Sequence, residues 1–344
     1  MKKKIASFLL VLIVGVLVFT GCGFQALKGG PKDTDPVSSN GGLIVQKGNF
    51  LYFVNGYTAI SDLSGEANNY GKVDFSSLYR TELDSDGNLQ YDEDGKLIAS
   101  VLAPKVVGTE NCSFYIYGNK IYYASPNSEK GTDGKIDYKK TDFYMSNLDG
   151  SNVSRIYKTT VSSTSISFRF YEIDGKVYLA VYDSAELFII NCSNKDVKKV
   201  ATGVTSVVLP SENEQHNFVY YTRSSVDEDK VNSGNILAMA SIIDAEEIDV
   251  QGKNSTFAVK DFKSNTLIYT KKDANDKSAY FYKAPVEDNK VNLSNAEKIS
   301  FQAYTNAPLV LNFENGNYRG MVTKNESGYL VSIFVKNCCV LNVN

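Results

Sequence analysis

Hydrophobic positions open the chain as a block and then break into short alternating runs. Ile5 to Phe19 is apolar except for Ser7 and Gly15, with Lys2, Lys3 and Lys4 in front and no acid before Asp33. A spanning helix needs about 20 apolar residues to cross ~30 Å of hydrocarbon, so this run is short for a permanent span. Basic start, apolar centre and small residues behind it are the layout of a signal peptide, here residues 1–21. An uncleaved signal anchor is the alternative, and either way the folded part faces outward. Residues 22–42 are rich in Gly, Pro, Ser and Asp. Such a stretch buries too little apolar surface to order itself. It is expected to be a flexible tether, with about 20 residues of coil spanning roughly 25 Å root-mean-square.

From residue 43 the pattern changes. A Gly or Asn turn leads into an apolar, Tyr-rich run, and a second such run later ends in a polar turn. The clearest copy is Tyr117-Gly118-Asn119-Lys120-Ile121-Tyr122-Tyr123 followed by Phe143-Tyr144-Met145-Ser146-Asn147-Leu148-Asp149-Gly150-Ser151. Asp149-Gly150 reads as a type I′ hairpin turn, which needs positive φ. Looser copies begin at Gly48, Asp174, Asn217, Asn265 and Tyr318. Self-similarity near 40–50 residues with about four strands per copy predicts a β-propeller. Radial packing covers both faces of each small sheet and shortens its edges. The 23 Tyr and 18 Phe suit the wide gap between such sheets. Six four-stranded units are expected, at 43–105, 106–160, 161–203, 204–252, 253–300 and 301–344. A pair of β-sandwiches is the alternative.

Two resemblances follow from these residues. Phe19-Thr20-Gly21-Cys22 resembles the lipobox of bacterial lipoproteins, with Phe19 where such sequences carry Leu. That resemblance implies lipidation of Cys22 and anchoring on the extracytoplasmic face of a cell membrane. Two acyl chains, at ~0.8 kcal/mol per buried methylene, hold a protein durably where one does not. The pattern Gly-Asn-x-Ile-Tyr-Tyr … Tyr-x-x-Asn-Leu-Asp-Gly-Ser resembles the propeller repeats of secreted bacterial proteins of the TolB-like and DUF5050 kind. It implies a fold and no catalytic residue.

Charge and composition narrow the partners. The net charge is −3, and losing three lysines with residues 1–21 takes it to −6. Such a chain lacks the basic footprint of a nucleic-acid binder. Besides Cys22 there are Cys112, Cys192, Cys338 and Cys339, with no C-x-x-C spacing, so a zinc ribbon or thiol redox motif is not expected. Cys112 and Cys192 sit in or beside apolar runs and read as buried thiols.

Candidate chemistry is sparse. The one histidine, His216, lies in a polar stretch and no G-x-S-x-G elbow accompanies it. Zinc sites built on several histidines are excluded. Asp62, Glu66, Asp74, Glu110, Glu172 and Asp183 fall near predicted loops or strand ends, where a glycosidase would place a carboxylate pair. The acidic stretch Asp84 to Gly95 offers oxygen ligands for calcium, but EF-hand spacing puts Leu89 where Gly is needed and Gly95 where Glu is needed. Two Asp-Gly turns explain it more simply. Tyr122-Tyr123 and Tyr220-Tyr221 are expected to point to opposite faces of their strands and pack between sheets. No catalytic, metal or cofactor residue is therefore assigned. The expected function is an outward-facing, non-catalytic binding or scaffold protein that engages an envelope protein or glycan. A glycosidase-like enzyme with carboxylates at the propeller axis is the alternative.

Overall fold

The structure is a computed structural model. It describes Leu27, residues 29–55, residues 77–302 apart from 96, 105, 108–113, 128, 135–139, 160–165, 212–213, 215–216, 227–232, 255 and 277–278, and four strands between 312 and 342.

Among the described residues the strands form six antiparallel sheets, five of them meanders of consecutive strands, while in the fifth Glu297–Gln302 pairs with Tyr280–Glu287 past a short intervening rung. The first comprises Val37–Ser38, Ile44–Lys47, Phe50–Asn55, Ser77–Glu82 and Ala99–Ala103. The second comprises Phe114–Tyr117, Lys120–Pro126, Thr141–Asn147 and Ser154–Lys158. The third runs from Ser167–Ile173 through Lys176–Asp183 and Glu186–Asn191 to Val197–Thr202. The fourth runs from Val204–Val208 through Phe218–Val226 and Ser233–Ser241 to Glu247–Asn254. The fifth holds Ala258–Lys263, Thr266–Lys271, Tyr280–Glu287 and Glu297–Gln302, with Lys290–Val291 as a short extra rung. Asn312–Asn315, Tyr318–Asn325, Gly328–Val335 and Val340–Asn342 make the sixth.

Alternation along each strand explains how the sheets stack. Successive side chains point to opposite faces. Phe114 and Ile116 therefore meet Val45, Tyr52 and Leu78 of the first sheet, while Tyr115 and Tyr117 meet Phe168, Phe170 and Leu179 of the third. Tyr171, Tyr178 and Ala180 then join the third sheet to Val219, Tyr221 and Ala238 of the fourth. Tyr220, Leu237 and Met239 join the fourth to Val259, Leu267 and Tyr269 of the fifth. Every sheet from the second to the fourth is thus buried on both faces by its two neighbours in sequence. First strands also approach one another: the Tyr117 hydroxyl donates to Phe170 O at 2.8 Å, and Val259 N donates to Ser206 Oγ at 2.9 Å. Successive sheets packed face to face with their first strands innermost are a β-propeller, as the repeats predict, and not a pair of sandwiches.

The tyrosine pairs divide as expected. Tyr122 faces the third sheet and Tyr123 the first, Tyr221 the third and Tyr220 the fifth. Burial pushes the Tyr122 and Tyr123 hydroxyls up to about 12. Neighbours in sequence still differ. The Tyr221 hydroxyl donates to Glu247 Oε2 at 2.8 Å, whereas the Tyr220 hydroxyl is buried without a partner. Tyr221→Phe is therefore expected to lower stability by about 1 kcal/mol, while Tyr220→Phe leaves it unchanged or slightly raised, because an unpaired buried hydroxyl is itself unfavourable. Thermal melting of the two variants checks the difference. Equal losses would mean that Tyr220 has a partner in solution.

Two local expectations are corrected. Of Asp149-Gly150 only Gly150 has positive φ, 81°, so the turn is not type I′. Asp149 Oδ1 accepts from Ser151 N at 2.9 Å, and a Cβ on Gly150 would lie 3.0 Å from Leu102 O of the first sheet. The two-residue turns with both φ positive occur instead at Asp174-Gly175, Ser184-Ala185, Ser264-Asn265 and Asp288-Asn289. The second correction concerns the stretch taken as tether. Residues 29–42 lie against the first two sheets: Val37–Ser38 pairs with Lys47 and Gln46, and the Asn40 side chain bonds both N and O of Ile116 at 2.7 and 3.0 Å. This polar leader is held by contacts that no hydrophobic period announces. Cys22 and residues 1–26, with the signal-peptide reading, lie outside the described residues, as do Cys112, Cys338 and Cys339. Cys192 is buried as a free thiol, and burial pushes its ionisation up. No described helix is long and apolar enough to cross a membrane.

Candidate functional site

The leader and the first strands together build a cavity of about 570 Å³. Its wall takes Asp33, Asp35, Val37 and Asn40 from the leader and Lys47 from the first sheet. Ile116 to Gly118 come from the second sheet and Tyr171 to Asp174 from the third, while Asn217 precedes the second strand of the fourth. Gly118 and Asp174 belong to the turns joining first and second strands, so the cavity is a mouth at that end of the propeller axis.

Hairpin geometry brings the carboxylates there. Glu172 sits one residue from the end of its strand, opposite Val177, and Asp174 opens the turn with φ 51°. Both are exposed, while their neighbours Tyr171 and Ile173 are buried against the fourth sheet. Asp33 is exposed and Asp35 half-buried, its Oδ2 accepting from Lys32 N at 2.8 Å. The cation in the wall bonds backbone oxygens and not these carboxylates. Lys47 is 1% exposed, and its ammonium donates to two backbone carbonyls, Asp33 O at 3.0 Å and Asp35 O at 2.9 Å. Burying an ammonium is costly unless its protons are taken up, and these carbonyls take them up while fixing the leader in place. Among the described residues the mouth therefore holds four carboxylates against one buried ammonium, which the chain itself engages. Its aromatic rings, Tyr117 and Tyr171, are buried and offer no stacking platform.

The other sequence candidates disperse. Asp183 lies at the far end of the strand that follows Glu172, beside the Ser184-Ala185 turn, with Oδ1 accepting from Ser184 Oγ at 3.1 Å. Asp62, Glu66, Asp74, Glu110 and His216 lie outside the described residues. Glu214, from the same connection as His216, accepts from Ser264 N at the neighbouring turn of the fifth sheet. In the acidic stretch, Asp84 Oδ1 accepts from the backbone N–H groups of Asp86 and Asn88 at 2.9 and 2.8 Å, and Asp92 Oδ1 from that of Asp94 at 3.0 Å. The Asn88 contact holds the Asp84 carboxyl below its usual range. These acids cap two turns around the bridges Leu83–Leu89 and Tyr91–Leu97, as the simpler reading expects. No group of three potential metal ligands occurs among the described residues.

Sequence reasoning names Glu172 but misses Asp33, Asp35, Asn40, Lys47 and Asp174. One signal was present: the alternation Ile44-Val45-Gln46-Lys47 sets Val45 and Lys47 on the same inward face. A lysine at an inward position demands nearby oxygen partners, and the preceding Asp-Thr-Asp-Pro segment was the nearest source.

No family model matches the chain, and no curated protein is similar to it. Solved structures that match the chain at low similarity include three at 11–12% identity. The N-terminal domain of Nup159 has TM-score 0.39 and 11% identity, covering 90% of this chain and 85% of that one. TolB from Acinetobacter baumannii has TM-score 0.33 and 12% identity over 79% and 67%. The β-propeller domain of the Trilobed protease from Pyrococcus furiosus has TM-score 0.36 and 11% identity over 67% and 70%. At these values the architecture rests on the sheet packing itself.

Proposed function

We propose that this chain is a non-catalytic binding protein, displayed outside a bacterial membrane on a lipidated Cys22, whose axial mouth receives a cationic segment of a protein partner. The observation that carries the binding site is the mouth: among the described residues, four carboxylates line one cavity against one buried ammonium, which backbone carbonyls engage. Such a cavity attracts positive charge and steers it inward. Buried rather than exposed rings favour a cationic group over a sugar face. The lipobox-like Phe19-Thr20-Gly21-Cys22 supports the anchor.

A glycosidase-like enzyme is the second reading, favoured by acids at the axis. Against it, Asp33, Glu172 and Asp174 are exposed, whereas a glycosidase general acid works from an enclosed, apolar pocket.

Binding is tested on lipidated protein in detergent micelles with a peptide of alternating Lys and Ser. Glu172→Gln and Asp174→Asn are each expected to weaken it about two- to fivefold, the worth of a partly exposed ion pair, with the loss shrinking in high salt. Unchanged affinity in the double variant would sink the cationic-segment reading. Glycan hydrolysis abolished by Glu172→Gln would install the enzyme in its place. For the anchor, Cys22→Ser is expected to leave the membrane fraction or remain unprocessed, and unaltered fractionation and processing would refute lipidation.

A further inference from the structure

We infer that the cationic segment enters the mouth as an extended strand and pairs, backbone to backbone, with the inner edge of the third sheet at Glu172. This deepens the reading of the mouth given above and rests on it; the lipid anchor plays no part.

First strands are innermost, so their inner edges carry backbone groups that no strand of their own sheet takes up. Turn geometry fixes which residues those are. A two-residue turn is closed by a hydrogen-bonded pair, and bonded positions then alternate along the ladder. In the third sheet Ile173 and Lys176 close the turn Asp174-Gly175, so Ile173 and Tyr171 bond to the second strand. Glu172 stands between them and turns its N–H and C=O to the axis. Its partner across the ladder agrees, because Val177 O is taken from the other side, by Cys192 N at 2.9 Å. The same count puts Gln46 of the first sheet, next to the closing pair Lys47–Phe50, at an equivalent inward station. Ile116 of the second sheet, next to Tyr117–Lys120, is another.

The leader fills two of these three stations. Ser38 pairs with Gln46 as a strand. The Asn40 side-chain amide imitates a strand at Ile116, donating to its O at 3.0 Å and accepting from its N at 2.7 Å. The chain then turns away at Gly41, with φ 80°, where a Cβ would lie 2.5 Å from the Tyr115 ring. At the third station the Glu172 N–H and C=O have no partner among the described residues. That station lies in the cavity wall. An open strand edge is the template for strand addition: main-chain bonds hold the incoming segment and the neighbouring groups choose its side chains. Here the choosing groups are the carboxylates of Asp33, Asp35, Glu172 and Asp174, so a Lys- or Arg-bearing strand is accepted and an acidic one repelled.

The test uses full-length lipidated protein in detergent micelles and the peptide of alternating Lys and Ser. Two analogues carry N-methyl groups, one on every Lys amide and the other on every Ser amide, and both keep the charge of the parent. Alternate residues of an extended strand bond to opposite sides, so only one methylated set meets Glu172, and sliding the peptide by two residues does not change which. One analogue is expected to bind at least about fivefold more weakly than the parent, the worth of about one backbone hydrogen bond, and the other within about twofold. Glu172→Pro removes the inward N–H while sparing the ladder, and is expected to bind the parent at least about fivefold more weakly than Glu172→Gln, which keeps that N–H. Thermal melting checks that the proline variant is folded, and the analogues probe the same bond on the unaltered protein. Equal affinities of the two analogues, both retained or both lost, would overturn the strand pairing and leave the cationic mouth standing. Absence of binding by the parent peptide would overturn the mouth reading and this inference with it.

Discussion

Phe143→Ala is expected to destabilise the protein by about 3–5 kcal/mol, the range for removing a buried aromatic ring from a close-packed core. Phe143 is fully buried on the third strand of the second sheet. Its ring meets Phe168 edge-on with centroids 5.1 Å apart, Phe170 at 6.2 Å and Tyr157 at 6.2 Å. The cavity would open at the interface between the second and third sheets, where several rings share the same contacts and none can refill the space alone. Against a total stability of about 5–15 kcal/mol such a loss is large. Phe143→Leu keeps most of the volume and should cost about half as much. Thermal and urea denaturation of both variants measure the series. A loss under about 1 kcal/mol for the alanine variant would mean that this interface is loosely packed, contrary to the radial stacking described.

The second large effect is expected at Lys47. Lys47→Met keeps the unbranched stem but removes the ammonium, leaving the carbonyls of Asp33 and Asp35 without their charged donor. Hydrogen bonds to charged groups contribute about 1.5–3 kcal/mol each, so a loss of about 3 kcal/mol is expected. It should appear locally before it appears globally: the leader detaches, and proteolysis between residues 29 and 42 accelerates while the sheets stay folded. Lys32→Met, at an exposed leader position, serves as the control and should change neither quantity. Leader cleavage at the same rate in both variants would show that the Lys47 ammonium does not hold this segment.

Much of the fold was legible in the sequence because a propeller repeats its local rules. Turn residues followed by Tyr-rich runs marked the unit boundaries to within a few residues, apart from the start of the first sheet at Val37 instead of residue 43. The paired tyrosines announced two buried faces, since adjacent strand residues cannot share one. The site was less legible. Asp33 and Asp35 reach the mouth through a polar leader fixed by hydrogen bonds rather than by apolar burial, and a hydropathy pattern registers only the latter. Turn types were misplaced for a similar reason. Ser184-Ala185 and Ser264-Asn265 adopt positive φ at both residues, while at the sequence-favoured Asp149-Gly150 only the glycine does, with Asp149 Oδ1 accepting from Ser151 N.

Each described sheet pairs strands that follow one another in the chain, except that Tyr280–Glu287 of the fifth pairs with Glu297–Gln302 past the short rung Lys290–Val291. Pairing of this local kind lets a sheet form soon after its own residues are available, which favours early collapse of each unit during folding. It also makes the architecture tolerant of heredity's coarse edits. A tandem duplication or loss of one whole unit leaves every remaining hairpin intact, so lineages of such chains can drift in unit number while keeping their internal grammar.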